Sequence, residues 1–304
     1  MQIDRSDAAV ALARRLIPLL DLTSLDEDDT PEKIAALCQR AVTPFGPVAA
    51  VCVFPRFVKQ AKELLAGSGA RIATVANFPA GTGLPDDIER EIAGAVADGA
   101  DEIDMVIPPL DYVPTQRFAN RRTVMWKARK ACSGRAMKVI LETGRYRKGG
   151  ADASQLFAAD VELSEMAILE GADFLKTSTG KIAVNATPDA AAAMLQTIRY
   201  GAQDAPLDLN APADRERGDY PGVTADRPIY KCRYLRTDDL PVGFKAAGGV
   251  RRLAQAKVYV DLAEKIIGPG YVESRTFRIG ASGLLDDILA TLGEGPAQGA
   301  RAGY

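Results

Sequence analysis

Asp173-Phe174-Leu175-Lys176-Thr177-Ser178-Thr179-Gly180-Lys181 is a short apolar run that delivers a lysine, with hydroxyl residues and a glycine following at once. A second stretch, Val242-Gly243-Phe244-Lys245-Ala246-Ala247-Gly248-Gly249-Val250, has the same form. A single lysine at a strand end is by default a surface charge. Two of them, each presented by an apolar strand and followed by glycine, point to one site at the ends of neighbouring parallel strands. A desolvated lysine, or one beside a second cation, loses its proton and attacks carbonyls.

Outward from these two runs, six more β-rich segments recur, at residues 16–22, 48–54, 72–78, 102–107, 137–142 and 277–281. With 173–178 and 242–246 they make eight. Helical patterns lie between them, over 85–98, 117–132, 153–170, 188–199 and 284–292, and one opens at Thr30-Pro31-Glu32 with a threonine cap and proline in the first turn. Eight strands alternating with helices predict a (β/α)8 barrel, a single domain spanning residues 1–304. An open doubly wound sheet is the alternative, but no glycine fingerprint for a dinucleotide follows a strand. Residues 201–240, rich in Asp, Pro and Arg, interrupt the rhythm between the sixth helix and the seventh strand. This position predicts a surface insertion on the face opposite the site. Residues 293–304 read as a flexible tail ending in Tyr304.

The 304 residues are 47% hydrophobic and 26% charged, with a net charge of −2. No basic excess suggests nucleic acid, and no apolar run reaches the roughly 18 residues a membrane span requires. The N-terminus lacks the charged-then-apolar form of a signal peptide, so a cytoplasmic protein is expected. Four cysteines, Cys38, Cys52, Cys132 and Cys232, fit neither a Cys-x-x-Cys site nor a disulfide framework. Histidine is absent. That removes Ser-His-Asp and Cys-His nucleophiles and His-ligated zinc, and leaves Lys, Asp, Glu, Tyr, Cys or water for proton transfer. Neither a metal nor a cofactor is expected.

Polar residues fall at or near the strand ends: Asp21, Asn77, Asp104, Glu142, Lys176 and Lys245. Active sites of barrels lie there. A free lysine is only about 0.04% neutral at pH 7, and bringing its pKa to about 7 takes about 5 kcal/mol. A second ammonium about 4 Å away, at an effective dielectric of about 20, supplies about 4 kcal/mol. Lys176 and Lys245, on adjacent strands, form such a pair, with Asp104 as a carboxylate proton relay or as their salt-bridge partner. Gly248 and Gly249 after the seventh strand, and Gly280-Ala281-Ser282-Gly283 after the eighth, suit a phosphate bound by backbone N–H groups at a helix N-terminus. Gly180 and Lys181 add a donor and a charge. Asp21, Cys52, Thr179 and Tyr304 are accessory candidates.

These motifs resemble those of the deoxyribose-phosphate aldolases. Lys-Thr-Ser-Thr-Gly-Lys at 176–181 and Gly-Phe-Lys-x-Ala-Gly-Gly-Val-Arg at 243–251 are specific to that family, and matching segments run from Leu20 to Leu285. The resemblance implies Lys176 as the Schiff-base lysine, Lys245 as the lysine that perturbs it and Asp104 as the proton relay. It implies Gly180, Lys181, Gly248, Gly249, Gly280 and Ser282 as substrate and phosphate contacts. The implied reaction is reversible cleavage of 2-deoxy-D-ribose 5-phosphate to acetaldehyde and D-glyceraldehyde 3-phosphate, in a homo-oligomer, with a dimer favoured. Three departures stand out: Ala246 where proline is frequent, Gly283 where a second serine is frequent, and the long 201–240 segment. Another Schiff-base aldolase on the same fold, or a catalytically silent sugar-phosphate-binding barrel, are the competing expectations.

Overall fold

The computed structural model describes residues 3–109, 117–148, 151–201 and 240–294. Eight parallel strands close into a barrel in chain order: β1 (Leu20–Thr23), β2 (Ala50–Val53), β3 (Arg71–Ala76), β4 (Glu102–Val106), β5 (Ala136–Ile140), β6 (Phe174–Lys176), β7 (Gly243–Ala247) and β8 (Phe277–Ala281), with β8 pairing back onto β1. Helices α2 (Pro31–Ala41), α3 (Val58–Leu64), α4 (Pro85–Ala97), α5 (Arg117–Ala131), α6 (Ala153–Leu169), α7 (Pro188–Gly201), α8 (Leu253–Ile266) and α9 (Leu284–Thr291) follow the strands in turn. This is the (β/α)8 architecture that the strand–helix alternation predicts. Residues 202–239, Cys232 and Tyr304 lie outside the described residues.

The start of the first strand differs from the sequence reading, and one further element was not foreseen. Residues 16–22 are not one strand. Helix α1 (Asp7–Leu16), capped by Ser6, ends there, and a 3₁₀ turn (Ile17–Leu19) carrying Pro18 precedes β1. Ala9, Ala13 and Leu16 recur at helical spacing and bury one face, which α1 packs against α8 and α9. An apolar run of this length is ambiguous between strand and helix, and here the helical period decides. A two-stranded ribbon, Val42–Thr43 with Gly46–Pro47, also stands outside the barrel pattern.

Strand alternation separates two interiors. Outward residues such as Ile103, Met105, Met137, Val139, Leu175, Phe244, Phe277 and Ile279 pack in the shell between barrel and helices. Branched apolar side chains usually fill the inside of such a barrel. Here its inward layers carry Asp21, Glu102, Asp104, Lys138, Lys176, Lys245 and Arg278, none more than 3% exposed. Register sets them side by side: Asp104 lies opposite Lys138, Lys176 opposite Lys245, and Lys245 opposite Arg278. A small apolar patch of Leu25, Ala50, Cys52, Ala73 and Val75, with Phe54 and Phe78 against it, lines the β1–β3 side.

Candidate active site

Lys176 and Lys245 meet on one atom. Both ammonium groups donate to Oδ2 of Asp104, at 2.8 and 2.7 Å. Lys245 also donates to Asp21 Oδ2 at 2.5 Å. Asp104 Oδ1 accepts from Lys138 at 2.9 Å, and Lys138 also pairs with Glu102. Arg278 ties the floor together, donating to Asp21 Oδ1 at 2.6 Å and Glu102 Oε1 at 2.9 Å. The pairing follows from burial, since an unpaired ion in a dry interior costs several kcal/mol. Gly280 on β8 is required by this packing: a Cβ there would come within 2.9 Å of Lys245 Cε.

The groups respond differently to this setting. Burial is the largest influence on Lys176 and pushes its pKa below the ordinary lysine value. Asp104 opposes the shift and Lys245 adds to it. The neighbouring ammonium expected to dominate is therefore the lesser cause, because Asp104 stands between the two amines and offsets it. Lys245 moves the other way: burial is outweighed by Asp104 and Asp21, and the ammonium is held. Burial of Asp104 is likewise outweighed, by Lys138, Lys176 and Lys245, so its carboxylate lies well below the usual range. Cys52, buried beside these groups, is pushed up to about 11, mainly by burial and then by Asp104, so it is a thiol in the wall rather than a thiolate.

The other strand-end residues divide by role. Asn77, at φ 55°, holds a loop: its Nδ2 donates to Val106 O at 2.8 Å, and its Oδ1 accepts from Gly83 N at 2.8 Å. Glu142, at φ 52° and 5% exposed, accepts from Thr179 N at 3.2 Å and from Thr179 Oγ1 at 2.5 Å. Thr179 Oγ1 in turn accepts from Lys181 N at 3.1 Å. Glu142 thus sets the turn that carries Gly180 and Lys181. The Lys181 ammonium reaches Asp26 Oδ1 at 3.3 Å across the mouth.

The glycine turns converge. Gly180, Gly248 and Gly249 all have left-handed φ, at 84°, 82° and 81°. A Cβ on Gly180 would stand 4.0 Å from Gly248 Cα, so the β6 and β7 turns touch. Gly283 is the N-cap of α9 and supplies no side-chain cap; Ser282 precedes it. The two acids of its first turn are engaged elsewhere, Asp286 with Arg40 and Asp287 with Arg252 and Leu253 N.

Sequence reasoning missed Glu102, Lys138 and Arg278. Their signal was present: a charge inside each apolar strand, at period two in Glu102-Ile103-Asp104 and between apolar neighbours in Met137-Lys138-Val139 and Phe277-Arg278-Ile279. Such placement is costly unless the charges pair.

A closed (β/α)8 barrel with two lysines sharing a carboxylate at its mouth defines a class, the barrel aldolases. Comparison with known proteins agrees. Residues 15–211 match the model of the DeoC/LacD family aldolases. A deoxyribose-phosphate aldolase of Agrobacterium fabrum is 41% identical over 100% of this chain and 99% of its own. The chain belongs to the DeoC/LacD family of aldolases. Solved structures share the fold. One, a candidate deoxyribose-phosphate aldolase from Toxoplasma gondii, superposes with a TM-score of 0.73 at 24% identity, covering 94% of this chain and 96% of that one. The Aeropyrum pernix deoxyribose phosphate aldolase, described as a tetramer, gives 0.60 at 22% identity, over 94% and 93%. Among the described residues, no helix is long and apolar enough to cross a membrane.

Proposed function

We propose that the protein is a deoxyribose-phosphate aldolase that works through a Schiff base on Lys176. The observation that carries this reading is the asymmetry of the shared carboxylate: Lys176 has one carboxylate partner and Lys245 has two. Lys176 is the amine that gives up its proton; Lys245 remains an ammonium.

The neutral Lys176 amine adds to the C1 aldehyde of open-chain 2-deoxy-D-ribose 5-phosphate, and loss of water leaves an iminium. Removal of the C3 hydroxyl proton lets the C2–C3 bond break, its electron pair passing into the iminium to give an enamine and D-glyceraldehyde 3-phosphate. Protonation of the enamine carbon and hydrolysis release acetaldehyde and restore the amine. Asp104, which accepts from both Lys176 and Lys245, and Lys245 itself are read as the groups that carry these protons through water. The adjoining turns at Gly180-Lys181 and Gly248-Gly249, with Gly280, Ser282 and the α9 N-terminus, are read as the phosphate cradle. The iminium is the electron sink, so this route needs no metal or cofactor. A cytoplasmic homo-oligomer belongs to the same reading; sedimentation separates a dimer from a tetramer.

Borohydride with acetaldehyde tests it. A two-carbon adduct on Lys176, located by mass spectrometry, is expected. Label on Lys245, Lys138 or Lys181 instead overturns the assignment. Tyr304 is proposed as an accessory proton donor to the enamine carbon. Its deletion is expected to slow deuterium exchange into acetaldehyde by about 10²-fold; exchange at the full-length rate removes it from the mechanism.

A further inference from the structure

The closed charge cluster does not balance. Its ion-paired members are four cations, Lys138, Lys176, Lys245 and Arg278, and three carboxylates, Asp21, Glu102 and Asp104; Glu142, also buried and facing Lys176, makes no ion pair with it, and burial raises its pKa toward the neutral acid. With every group of this ion-paired set ionised, one positive charge is in excess, and none of the seven residues is more than 3% exposed. Arg71 also approaches Glu102, at 3.3 Å, but its side chain is 52% exposed and solvent screens it. The excess is removed when one amine becomes neutral. Arg278 cannot supply that proton. Lys138 has Glu102 and Asp104 as direct partners, with Asp21 at 3.7 Å. Lys245 has two carboxylates and Lys176 one. The amine with fewest anionic partners is the one at the mouth.

We infer that Glu102 and Lys138, on the barrel floor, are positioning residues that set the protonation of Lys176 through the unequal count of buried charges. Neither touches Lys176. Lys138 occupies Asp104 Oδ1, so Lys176 and Lys245 must share Oδ2. Glu102 holds Lys138 and Arg278 in place from beneath. The groups that face Lys176 itself are Asp104 on β4, Lys245 on β7, Cys52 on β2 and, beyond the end of β5, Glu142. Asp104 and Lys245 connect it to the floor. Burial and Lys245 lower the Lys176 pKa, while Lys138 and Lys245 remain charged, in keeping with this count.

The inference rests on Lys176 as the Schiff-base lysine, and it makes predictions of opposite sign. Lys138→Met leaves three cations and three carboxylates. Protonated Lys176 is then balanced, and the acid limb of the kcat/KM profile moves to higher pH. Glu102→Gln leaves four cations and two carboxylates, and the limb moves to lower pH. Glu102→Gln/Lys138→Met leaves three cations and two carboxylates, the original excess of one, and the limb returns toward its starting position. The experiment is the pH dependence of kcat/KM, together with the rate of borohydride trapping by acetaldehyde, on the full-length parent, both single variants and the double variant. At pH 7 the trapping rate of Lys138→Met is expected to fall on the order of tenfold, the change in neutral amine that one pKa unit brings. Damage to the fold alone would lower rates without moving the limbs in opposite directions. Limbs that stay fixed, or that move the same way in both single variants, overturn the inference. If Lys138→Met does not fold, Glu102→Gln and the double variant still decide it: the first must shift the limb down and the second must reverse that shift. Adduct on a lysine other than 176 refutes the underlying reading instead, and mass spectrometry of the same trapped samples separates the two failures.

Discussion

Replacing Glu142 by alanine strikes the turn that carries Thr179, Gly180 and Lys181. The carboxylate accepts from Thr179 N at 3.2 Å and from Thr179 Oγ1 at 2.5 Å, with only 5% of the residue exposed. Hydrogen bonds to a charged acceptor contribute about 1.5–3 kcal/mol each, and a buried donor left unpaired costs about 1–3 kcal/mol. Against this stands the cost of burying the carboxylate, the largest influence on Glu142 and the one that raises its pKa. The balance is a loss of about 2–4 kcal/mol, or about 4–16 °C at the roughly 2–4 °C per kcal/mol expected for a chain somewhat smaller than this one. Glu142→Gln keeps one acceptor at the same reach and is expected to lose about 1 kcal/mol. Glu142→Gly also removes both bonds but relieves the left-handed backbone at φ 52°, so it should be less harmful than alanine by about 1 kcal/mol. The activity should change in a specific way. Thr179 Oγ1 holds Lys181 N, so loosening the turn raises KM for the phosphorylated substrate more than for unphosphorylated 2-deoxyribose, while Lys176 keeps its partners. Thermal melts and steady-state kinetics on both sugars read these effects. An alanine variant that melts with the parent, or that loses both sugars equally, would refute the reasoning.

Other outcomes follow from the same geometry. Lys176→Arg keeps the charge near Asp104 but cannot become a neutral nucleophile, so turnover and borohydride trapping should both be lost while the melt stays cooperative. Asp21, Glu102 and Asp104 all have lowered folded pKa values, because their cationic partners outweigh the burial that would raise them. The stability they contribute is complete above the unfolded carboxylate values of about 4 and is lost as pH falls below them. Melting temperature should therefore be level from pH 8 to about 5 and drop below, with a shallower drop in Glu102→Gln. Prolonged EDTA treatment should leave the rate unchanged; loss of activity restored by a divalent ion would contradict the iminium route. The chain leaves α7 at Gly201 and re-enters before β7, at the end of the barrel opposite Lys176. Replacing the 201–240 insertion by a short linker should leave kcat nearly intact, and a large loss in a folded variant would place that segment's influence at the mouth.

The barrel and its lysine pair were legible because they are written locally. An apolar run ending in lysine and glycine shows both the strand and the point where it stops, and the eightfold alternation does the rest. Asn77 and Glu142 were visible as polar strand ends, but their task was not, because Val106, Gly83 and Thr179 reach them only in the folded barrel. The partners of the floor charges were hidden for a related reason, although each charge stood visibly inside an apolar strand. Lys138 lies 38 positions before Lys176 in the chain, and nothing around Met137 or Val139 says that Glu102, Asp104 and Asp21 wait inside. The first strand was set too early because the apolar spacing that marks α1 continues without a break into β1.

Gly280 carries a consequence for divergence among relatives. Its missing side chain is the space that Lys245 occupies, since a Cβ would meet Lys245 Cε at 2.9 Å and Ala247 Cβ at 3.2 Å. A descendant that lost the lysine would relieve the tighter of these two contacts, and one that gained a side chain at 280 would have to displace the Lys245 side chain from its carboxylates. The two positions should therefore tend to change together, so that Gly280 in a homologous sequence goes with an intact amine on the neighbouring strand whatever group the substrate carries at its far end.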